Sequence, residues 1–133
     1  MADALAAAAT MRGGPALVGA ATPETLVERW THPDACLLVG EFDGAVVGVL
    51  GATTSPGGEG TAPRALVECC YVEAEARGVG VGAALMASAV EWGAARGCAE
   101  VDALALPGDR STKQRLEAAG FTARLLTLSR RLG

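Results

Sequence analysis

The sequence has few aromatic residues, one histidine and no excess of positive charge. Phe, Trp and Tyr make up 4% of its 133 residues, and the formal net charge is −4. A protein that follows a nucleic-acid backbone needs a basic face and often aromatic stacking platforms, so this composition argues against a nucleic-acid partner. The single histidine, His32, precedes Pro33 in a predicted turn. We expect it to be an exposed loop residue, not a metal ligand or a base.

The cysteines have none of the spacings that mark zinc sites or redox-active pairs. Two of the four are adjacent, and none stands in a C-x-x-C arrangement. We interpret them as reduced thiols of a cytoplasmic protein that needs no metal, and the adjacent pair as core residues. Their positions are Cys36, Cys69, Cys70 and Cys98.

No segment has the charge pattern of an export signal or the length of a membrane span. The apolar run at residues 4–9 follows Asp3, where a signal peptide carries Lys or Arg, and residues 12–15 end it early. Half of the residues are apolar and 20% are charged, which is ordinary for a globular domain. We therefore expect one domain over residues 1–133, without a membrane partner.

The charges are distributed unevenly along the chain. Residues 1–105 hold five Arg or Lys against thirteen Asp or Glu, a net charge of −8. Residues 106–133 hold six against two, a net charge of +4. This segregation suits a site that takes a polyanion at one end and a cation at the other, although scattered surface charges would also explain it.

Hydrophobic periodicity and turn residues predict a mixed α/β domain. Thr22 and Pro23 are typical of the first residues of a helix. Asp43-Gly44 favours a type I′ hairpin turn, and Gly97 is expected to end a long helix. Predicted helices cover residues 3–12, a stretch after Thr22, residues 82–96 and a segment from Asp109 or Ser111 to Gly120; predicted strands cover residues 36–42, 45–51, 65–72, 99–106 and 121–128, with a flexible loop at 53–63.

Residues 77–82, here called the glycine loop, have the sequence R-G-V-G-V-G and lie between a predicted strand and the long helix. Alternating glycines let consecutive backbone N–H groups turn toward one anion, and the helix adds its N-terminal N–H groups and the positive end of its dipole. Arg77 adds a charge at the mouth. The pattern is that of a phosphate-binding loop, although similar glycines also occur in tight turns that bind nothing.

Glu68 stands out because it lies inside an otherwise apolar strand. Strict alternation places it on one face with Leu66, Cys70 and Val72. A buried carboxylate without a partner is strongly destabilising, so Glu68 is either solvated or held for a purpose. Two purposes stay open, a general base and a structural ion pair.

A dinucleotide site is a competing interpretation of the glycine loop. Gly78, Gly80 and Ala83 satisfy a G-x-G-x-x-A pattern, and Asp102 lies near the spacing expected for a ribose contact. Asp102 falls inside its predicted strand, however, and the preceding strand follows an antiparallel hairpin. Both features disfavour a Rossmann unit.

The glycine loop and its surroundings are similar to the GNAT acetyltransferase superfamily. The family's acetyl-CoA signature is Arg or Gln, two residues, Gly, one residue, then Gly or Ala, here Arg77, Gly80 and Gly82. The run YVEAEARGVGVGAALMASAVEWGAARGCAEV resembles the central strand, loop and helix of that family. ALPGDRSTKQRLEAAGF resembles its second conserved segment and ACLLVGEFDGAVVGVLG its usual hairpin, so the resemblance covers residues 22–128.

The resemblance implies an acyl-CoA N-acyltransferase fold that lacks the usual first strand and has a shortened C-terminal end. It implies acetyl-CoA-dependent transfer to a primary amine of a small molecule or protein by direct attack, with Glu68 as candidate base and Tyr71 as candidate proton donor. Residues 21–34 and 53–63 would then determine the acceptor. The predicted cofactor-binding residues are Cys70, Tyr71, Val72, Arg77, Gly78, Val79, Gly80, Val81, Gly82, Ala83, Asp109, Ser111 and Arg115.

Two positions depart from the family pattern. Leu116 stands where the family commonly has a tyrosine that protonates the leaving thiolate, and Asp109 stands where an asparagine is frequent. These changes affect catalysis more than acetyl-CoA binding, which relies on backbone groups. A second functional class therefore stays open, a degenerate domain that binds acetyl-CoA or a partner chain without turnover.

Two further expectations concern charge and assembly. Arg110, Lys113 and Arg115 lie where they could meet cofactor phosphates, and a solvated helix face explains them equally well. The missing first strand would leave a sheet edge open near residues 36–42, which predicts a homodimer.

Overall fold

The computed structural model describes residues 22–105, 110–126 and 128–133. They form both helices and strands, as predicted for a mixed α/β domain. In chain order they are α1 (Pro23–Trp30), β1 (Ala35–Phe42), β2 (Ala45–Ser55), β3 (Arg64–Val72), a short 3-10 helix (Ala74–Ala76), α2 (Val81–Ala95), β4 (Glu100–Ala103) and α3 (Arg110–Ala118).

The four strands form one sheet in the order β1-β2-β3-β4. β1 pairs with β2 and β2 with β3 in antiparallel fashion, whereas β3 and β4 are parallel. The β1–β2 turn has positive φ at both central residues, 51° at Asp43 and 78° at Gly44. That geometry matches the twist of a hairpin, and it confirms the antiparallel pair predicted from the Asp-Gly dipeptide.

Helices α1 and α2 cover opposite faces of the sheet. Leu26 and Trp30 of α1 pack with Val49 and Cys69, whereas α2 packs on neighbouring residues of the same strands. Successive strand residues point to opposite faces, so these two clusters make a three-layered core. The buried residues of α2 are Val81, Leu85, Met86, Ala89 and Gly93.

Helix α1 begins where the sequence predicts. The Thr22 hydroxyl accepts a hydrogen bond from the Thr25 backbone N–H at 3.3 Å, and the Thr25 hydroxyl accepts one from the Thr22 N–H at 2.8 Å. This reciprocal cap satisfies N–H groups that the helix itself leaves free. Trp30 packs closely on β2, where a Cβ atom at Gly51 would come within 2.0 Å of its ring.

Two predicted boundaries and one predicted strand are wrong. Residues 53–55 belong to β2, because Thr53 and Thr54 pair with β3. β4 ends at Ala103, and residues 104 and 105 are not part of it. The predicted strand at 121–128 does not form at 121–126 or 128, although the alternation of side chains there is typical of a strand. Alternation indicates a strand only where a partner edge covers one face, and Leu125 and Leu126 keep 90% and 70% of their surface exposed.

The predicted helix at residues 3–12, Asp109 and the start of the second conserved segment lie outside the described residues. Among those that are described, no helix is long and apolar enough to cross a membrane.

Candidate functional site

The glycine loop joins β3 to α2 through two left-handed residues. Gly78 and Gly80 have φ of 87° and 90°, and Gly80 is the N-cap of α2. A Cβ atom at either position would meet nothing within 4 Å, so the backbone conformation and not crowding requires glycine there. The loop therefore leads directly into the N-terminus of α2, and no side chain at Gly78 or Gly80 fills the space in front of that helix.

A cleft of about 310 Å³ lies in front of this loop. It brings together residues of the glycine loop, the end of β3, the first turn of α2 and the exposed side of α3. First-turn N–H groups of a helix and a nearby guanidinium are the groups that bind phosphate, so these residues fit the pyrophosphate part of acetyl-CoA. The lining residues are Val72, Ala76, Arg77, Gly78, Gly80, Gly82, Ala83, Ser111 and Arg115.

Most of the predicted cofactor-binding residues line this cleft, and four of the described ones do not. Val81, the first residue of α2, is 9% exposed and packs over Gly40 of β1 and Gly48 of β2. Cys70 also packs against that core, whereas Val79 keeps 49% of its surface exposed. Tyr71 packs on the α1 side of the sheet. Ala76 also lines the cleft, which the sequence did not predict. A small apolar side chain has no property that indicates a cofactor-binding residue.

Arg77 fastens the glycine loop to β3. Its Nε donates a hydrogen bond to the carbonyl oxygen of Val72 at 2.9 Å, and its guanidinium carbon lies 5.8 Å from the centre of the Tyr71 ring. The guanidinium of Arg77 thus contacts the end of β3 and the ring face of Tyr71, and Arg77 also lines the cleft. It positions the loop as well as adding charge at the mouth.

β3 and β4 pair over part of their length and then separate. Their parallel register joins Arg64–Val67 to Glu100–Ala103, while β3 continues to Val72. In the described part of the chain, residues 68–72 of β3 have no strand partner on that side. Parallel strands that part at their carboxyl ends form the crevice in which α/β proteins bind ligands. This crevice leads directly to the glycine loop.

Glu68 is the bulged residue of β3. Gly51 pairs with Cys69 and Ala52 pairs with Val67, so Glu68 has no partner in the β2 register. The bulge shifts the alternation, and the predicted grouping of Glu68 with Cys70 and Val72 on one face is therefore wrong.

The carboxylate of Glu68 is buried and fully engaged. Glu68 as a whole is 5% exposed. Oε1 accepts hydrogen bonds from Arg29 Nε at 2.7 Å and from Trp30 Nε1 at 2.9 Å, and Oε2 pairs with Arg29 Nη2. The hydrogen bond to this carboxylate raises the pKa of Arg29. Of the two purposes left open by the sequence, the contacts favour the structural ion pair.

The adjacent cysteines are held as neutral thiols. Burial raises the pKa of Cys69 to about 12 and also raises the pKa of Cys70. Since the thiolate is the nucleophilic form, neither residue is suited to covalent catalysis. Among the described residues, no group of three or more His, Cys, Asp or Glu side chains could hold a metal ion.

A second cavity, of about 590 Å³, lies between α1 and the ends of β1 and β2. Its lining combines residues of the two segments that the resemblance assigns to the acceptor. Arg29 contributes to the wall and also binds Glu68, so the buried carboxylate lies one side chain away from this cavity. The lining residues are Thr25, Glu28, Arg29, His32, Asp34, Ala35, Thr53 and Thr54.

Leu116, at the position of the usual tyrosine, is partly buried and packs against the core on the α2 side. Its aliphatic side chain has no group that could donate a proton.

Comparisons with known proteins agree with this geometry. The model of the acetyltransferase (GNAT) family matches residues 9–121. No curated protein matches the chain.

Solved structures share the fold at low sequence identity. A ribosomal-protein-alanine N-acetyltransferase from Brucella melitensis biovar Abortus 2308 has a TM-score of 0.70 and 18% identity, over 98% of this chain and 93% of its own. The aminoglycoside N-acetyltransferase AAC(6')-Iy in complex with CoA has a TM-score of 0.66 and 22% identity, over 83% and 84%. A transcriptional regulator from Bacillus halodurans C-125 has a TM-score of 0.72 and 24% identity, over 82% and 73%. The family model spans most of the sequence and the fold agrees with it, so the chain belongs to the acetyltransferase (GNAT) family.

Proposed function

We propose that this protein is an acetyl-CoA-dependent N-acetyltransferase whose acceptor is a primary amine of a small molecule or a protein. The observation that carries the proposal is the cleft in front of the glycine loop, where Gly78, Gly80 and the first turn of α2 meet Arg115 of α3. An anion-binding loop of this kind suits the pyrophosphate of a CoA thioester. The crevice between β3 and β4 suits the extended arm that follows it.

The proposed reaction needs no covalent enzyme intermediate. The neutral amine nitrogen attacks the thioester carbonyl carbon, the new C–N bond forms, and the C–S bond breaks to release the CoA thiolate. The nitrogen loses one proton, and the thiolate takes one up. Orienting the two reactants accounts for much of the rate in such a transfer.

This chain departs from the family pattern in the residues that could transfer protons during the reaction. Both oxygens of Glu68 already accept hydrogen bonds, so we propose that Glu68 positions Arg29 and α1 beside the acceptor cavity and does not take the proton itself. Since Leu116 cannot serve, Tyr71 and Ser111 are the remaining candidate donors to the thiolate. Water is the alternative, because a CoA thiol is acidic enough to leave without an assigned acid.

The acceptor cavity carries the acidic side chains of Glu28 and Asp34. They favour a cationic acceptor. Two of the similar structures are an aminoglycoside N-acetyltransferase and a ribosomal-protein-alanine N-acetyltransferase, whose acceptors are both amines. We propose a protein of the cytoplasm, where acetyl-CoA is made.

A matched pair of variants tests the cofactor site. Ala83 and Ala84 are both exposed in the first turn of α2, but only Ala83 lines the cleft. An aspartate is tolerated at either position because it favours the positive end of the helix dipole. Acetyl-CoA should raise the melting temperature of the wild type and of Ala84→Asp. Ala83→Asp should fold normally and lose this shift, because its charge opposes the pyrophosphate.

Release of free thiol from acetyl-CoA with a panel of amines then separates the two functional classes. Turnover supports the transferase, whereas acetyl-CoA binding without turnover for any amine supports the degenerate domain. Absence of a thermal shift in ligand-free wild type contradicts the transferase and also a degenerate domain that binds acetyl-CoA, and it leaves the degenerate domain that binds only a partner chain.

A further inference from the structure

Two glycines of the β1–β2 hairpin lie side by side under the first turn of α2. Gly40 of β1 and Gly48 of β2 are partners in the antiparallel register. The alternation of side chains along each strand places them on the face that packs against α2, in line with Leu38 and Leu50 of the core. Neither strand therefore has a side chain at this position. The pair is here called the glycine notch.

Val81, the first residue of α2, packs into the glycine notch. A Cβ atom added at Gly40 would lie 2.4 Å from Cγ1 of Val81, and one added at Gly48 would lie 3.1 Å from the same atom. Leu85, one turn later, also approaches both positions, with its Cδ1 at 3.4 Å and 3.1 Å. Ordinary contacts of a Cβ atom begin at 3.4 Å. The helix therefore lies closer to the hairpin than a side chain at Gly40 would allow.

The same turn of α2 carries the backbone groups that suit an anion. Gly80 is the N-cap, and the N–H of Ala84 donates to its carbonyl oxygen at 3.0 Å. The N–H groups of Val81, Gly82 and Ala83 precede this first bond and have no acceptor within the helix. Gly82 and Ala83 line the cleft in front of the glycine loop. The first turn of α2 thus packs on the sheet through one residue and borders the cleft through the next two.

We propose that Gly40, Gly48 and Val81 are positioning residues of the cofactor site. The inference rests on the proposed function, because the ligand it concerns is CoA. The valine in the notch fixes the height of the start of α2 above the hairpin, and the first-turn N–H groups move with it. A hydrogen bond from N–H to oxygen spans about 2.7 to 3.2 Å, so a displacement of about 1 Å at the helix start breaks it.

The packing at the notch leaves little freedom to absorb an added methyl group. Val81 is β-branched, and such a side chain has one strongly preferred χ1 rotamer in a helix, so it does not turn away from the sheet. Gly48 lies in a strand that pairs on both sides, and a Cβ atom there would also lie 3.2 Å from the carbonyl oxygen of Tyr71. A methyl group in the notch is therefore relieved by displacing the start of α2.

Alanine substitution of Gly40 tests this role against a matched control on the same helix. Gly93, near the other end of α2, packs on β4, where an added Cβ atom would lie 2.8 Å from Cγ2 of Val101. Both substitutions crowd a valine, and their melting temperatures show how far each disturbs the fold. Gly40→Ala should weaken CoA binding about tenfold in isothermal titration, as expected for the loss of one hydrogen bond to a charged group. Gly93→Ala should keep the CoA affinity within about twofold, because it lies far from the cleft.

Val81→Ala provides the rescue. It removes Cγ1, which is the atom that an added Cβ at Gly40 would meet first. Gly40→Ala combined with Val81→Ala should therefore bind CoA within about threefold of Val81→Ala alone. Gly48→Ala requires a smaller adjustment and replaces Gly40→Ala in the same comparison if that variant does not fold.

CoA affinities equal to the wild type in Gly40→Ala, or equal losses in Gly40→Ala and Gly93→Ala, overturn the inference. A loss in Gly40→Ala that persists unchanged in the presence of Val81→Ala also overturns it. These outcomes leave the proposed function standing, because the wild type still binds CoA. A wild type that binds no CoA overturns the cofactor site itself, and this inference with it.

Discussion

Arg29 and Glu68 are 39 positions apart in the sequence, and the guanidinium of Arg29 holds both oxygens of the buried carboxylate. The two side chains of the pair differ strongly in exposure. The side chain of Glu68 is 4% exposed and that of Arg29 is 50% exposed. Trp30, the next residue of α1, donates to the same carboxylate. Glu68 thus fixes α1 on the sheet at the bulge of β3.

Removing the exposed partner should be more destabilising than neutralising the buried one. Arg29→Ala leaves a buried carboxylate without its cation, which we expect to lower the free energy of unfolding by roughly 3 kcal/mol. Glu68→Gln leaves Arg29 free to reach water and should cost about 1 kcal/mol. Urea unfolding at neutral pH measures both values.

The double variant provides the control for this asymmetry. Arg29→Ala with Glu68→Gln has no buried charge, so it should be more stable than Arg29→Ala alone. Equal effects of the two single substitutions, or a double variant that is the least stable of the three, would show that the buried charge is not the cause.

The same Glu68→Gln variant separates a structural carboxylate from a catalytic base. Because both oxygens of Glu68 are engaged, we expect the single-turnover rate of acetyl transfer, measured well below the melting temperature, to stay within about threefold of the wild type. Loss of a general base typically lowers a rate by about 10²-fold or more. A fall of that size with unchanged acetyl-CoA affinity would assign the base to Glu68 and contradict our interpretation.

The features that could be predicted from the sequence are those with local causes. The hairpin turn depends on Asp43 and Gly44, and the glycine loop depends on the conformational freedom of Gly78 and Gly80. The ion pair of Glu68 could not be predicted, because its partner lies on a distant element. The bulge at Glu68 also leaves no trace in the hydrophobic pattern, so the prediction that Glu68 shares a face with the residues after it was wrong.

The failed strand at residues 121–128 has a related cause. The side chains of this segment do alternate as in a strand, but a strand also needs the edge of a neighbouring strand to pair with. The order of the strands in a sheet cannot be predicted from one segment alone. The sequence-based expectation of a homodimer through residues 36–42 remains a separate prediction.

The buried thiol of Cys69 should make the protein less stable in alkali. Its pKa is raised to about 12 in the folded state, first by burial and then by Cys70 and Glu68. An unfolded thiol ionises near pH 8.5, so the stabilisation is complete below about that pH and is lost as the pH rises toward the folded value. The free energy of unfolding should therefore fall between about pH 8.5 and about pH 12.

The slope of the free energy of unfolding against pH, compared between the wild type and variants, separates the contribution of this thiol from those of other groups that titrate in the same range. Cys69→Ala will lower stability at all pH values, but its dependence on pH should be shallower than that of the wild type. Cys98→Ala, which removes a partly exposed thiol, serves as the control. An unchanged slope in Cys69→Ala would assign the alkaline loss to another residue.

Arg115 and Lys113 lie on the same helix, but only Arg115 lines the cleft of the glycine loop. If the cluster of cations on α3 binds cofactor phosphate, Arg115→Gln should weaken CoA binding by about tenfold, as expected for the loss of one charge-assisted hydrogen bond. Lys113→Gln removes the same charge from an exposed position outside the cleft and should leave the affinity nearly unchanged. Isothermal titration at low and moderate salt measures both effects, and the salt dependence should become weaker only for Arg115→Gln, because a contact between opposite charges is screened by ions. Equal, small losses for both variants would mean that α3 presents a solvated basic face and that backbone groups of the glycine loop bind the phosphates alone.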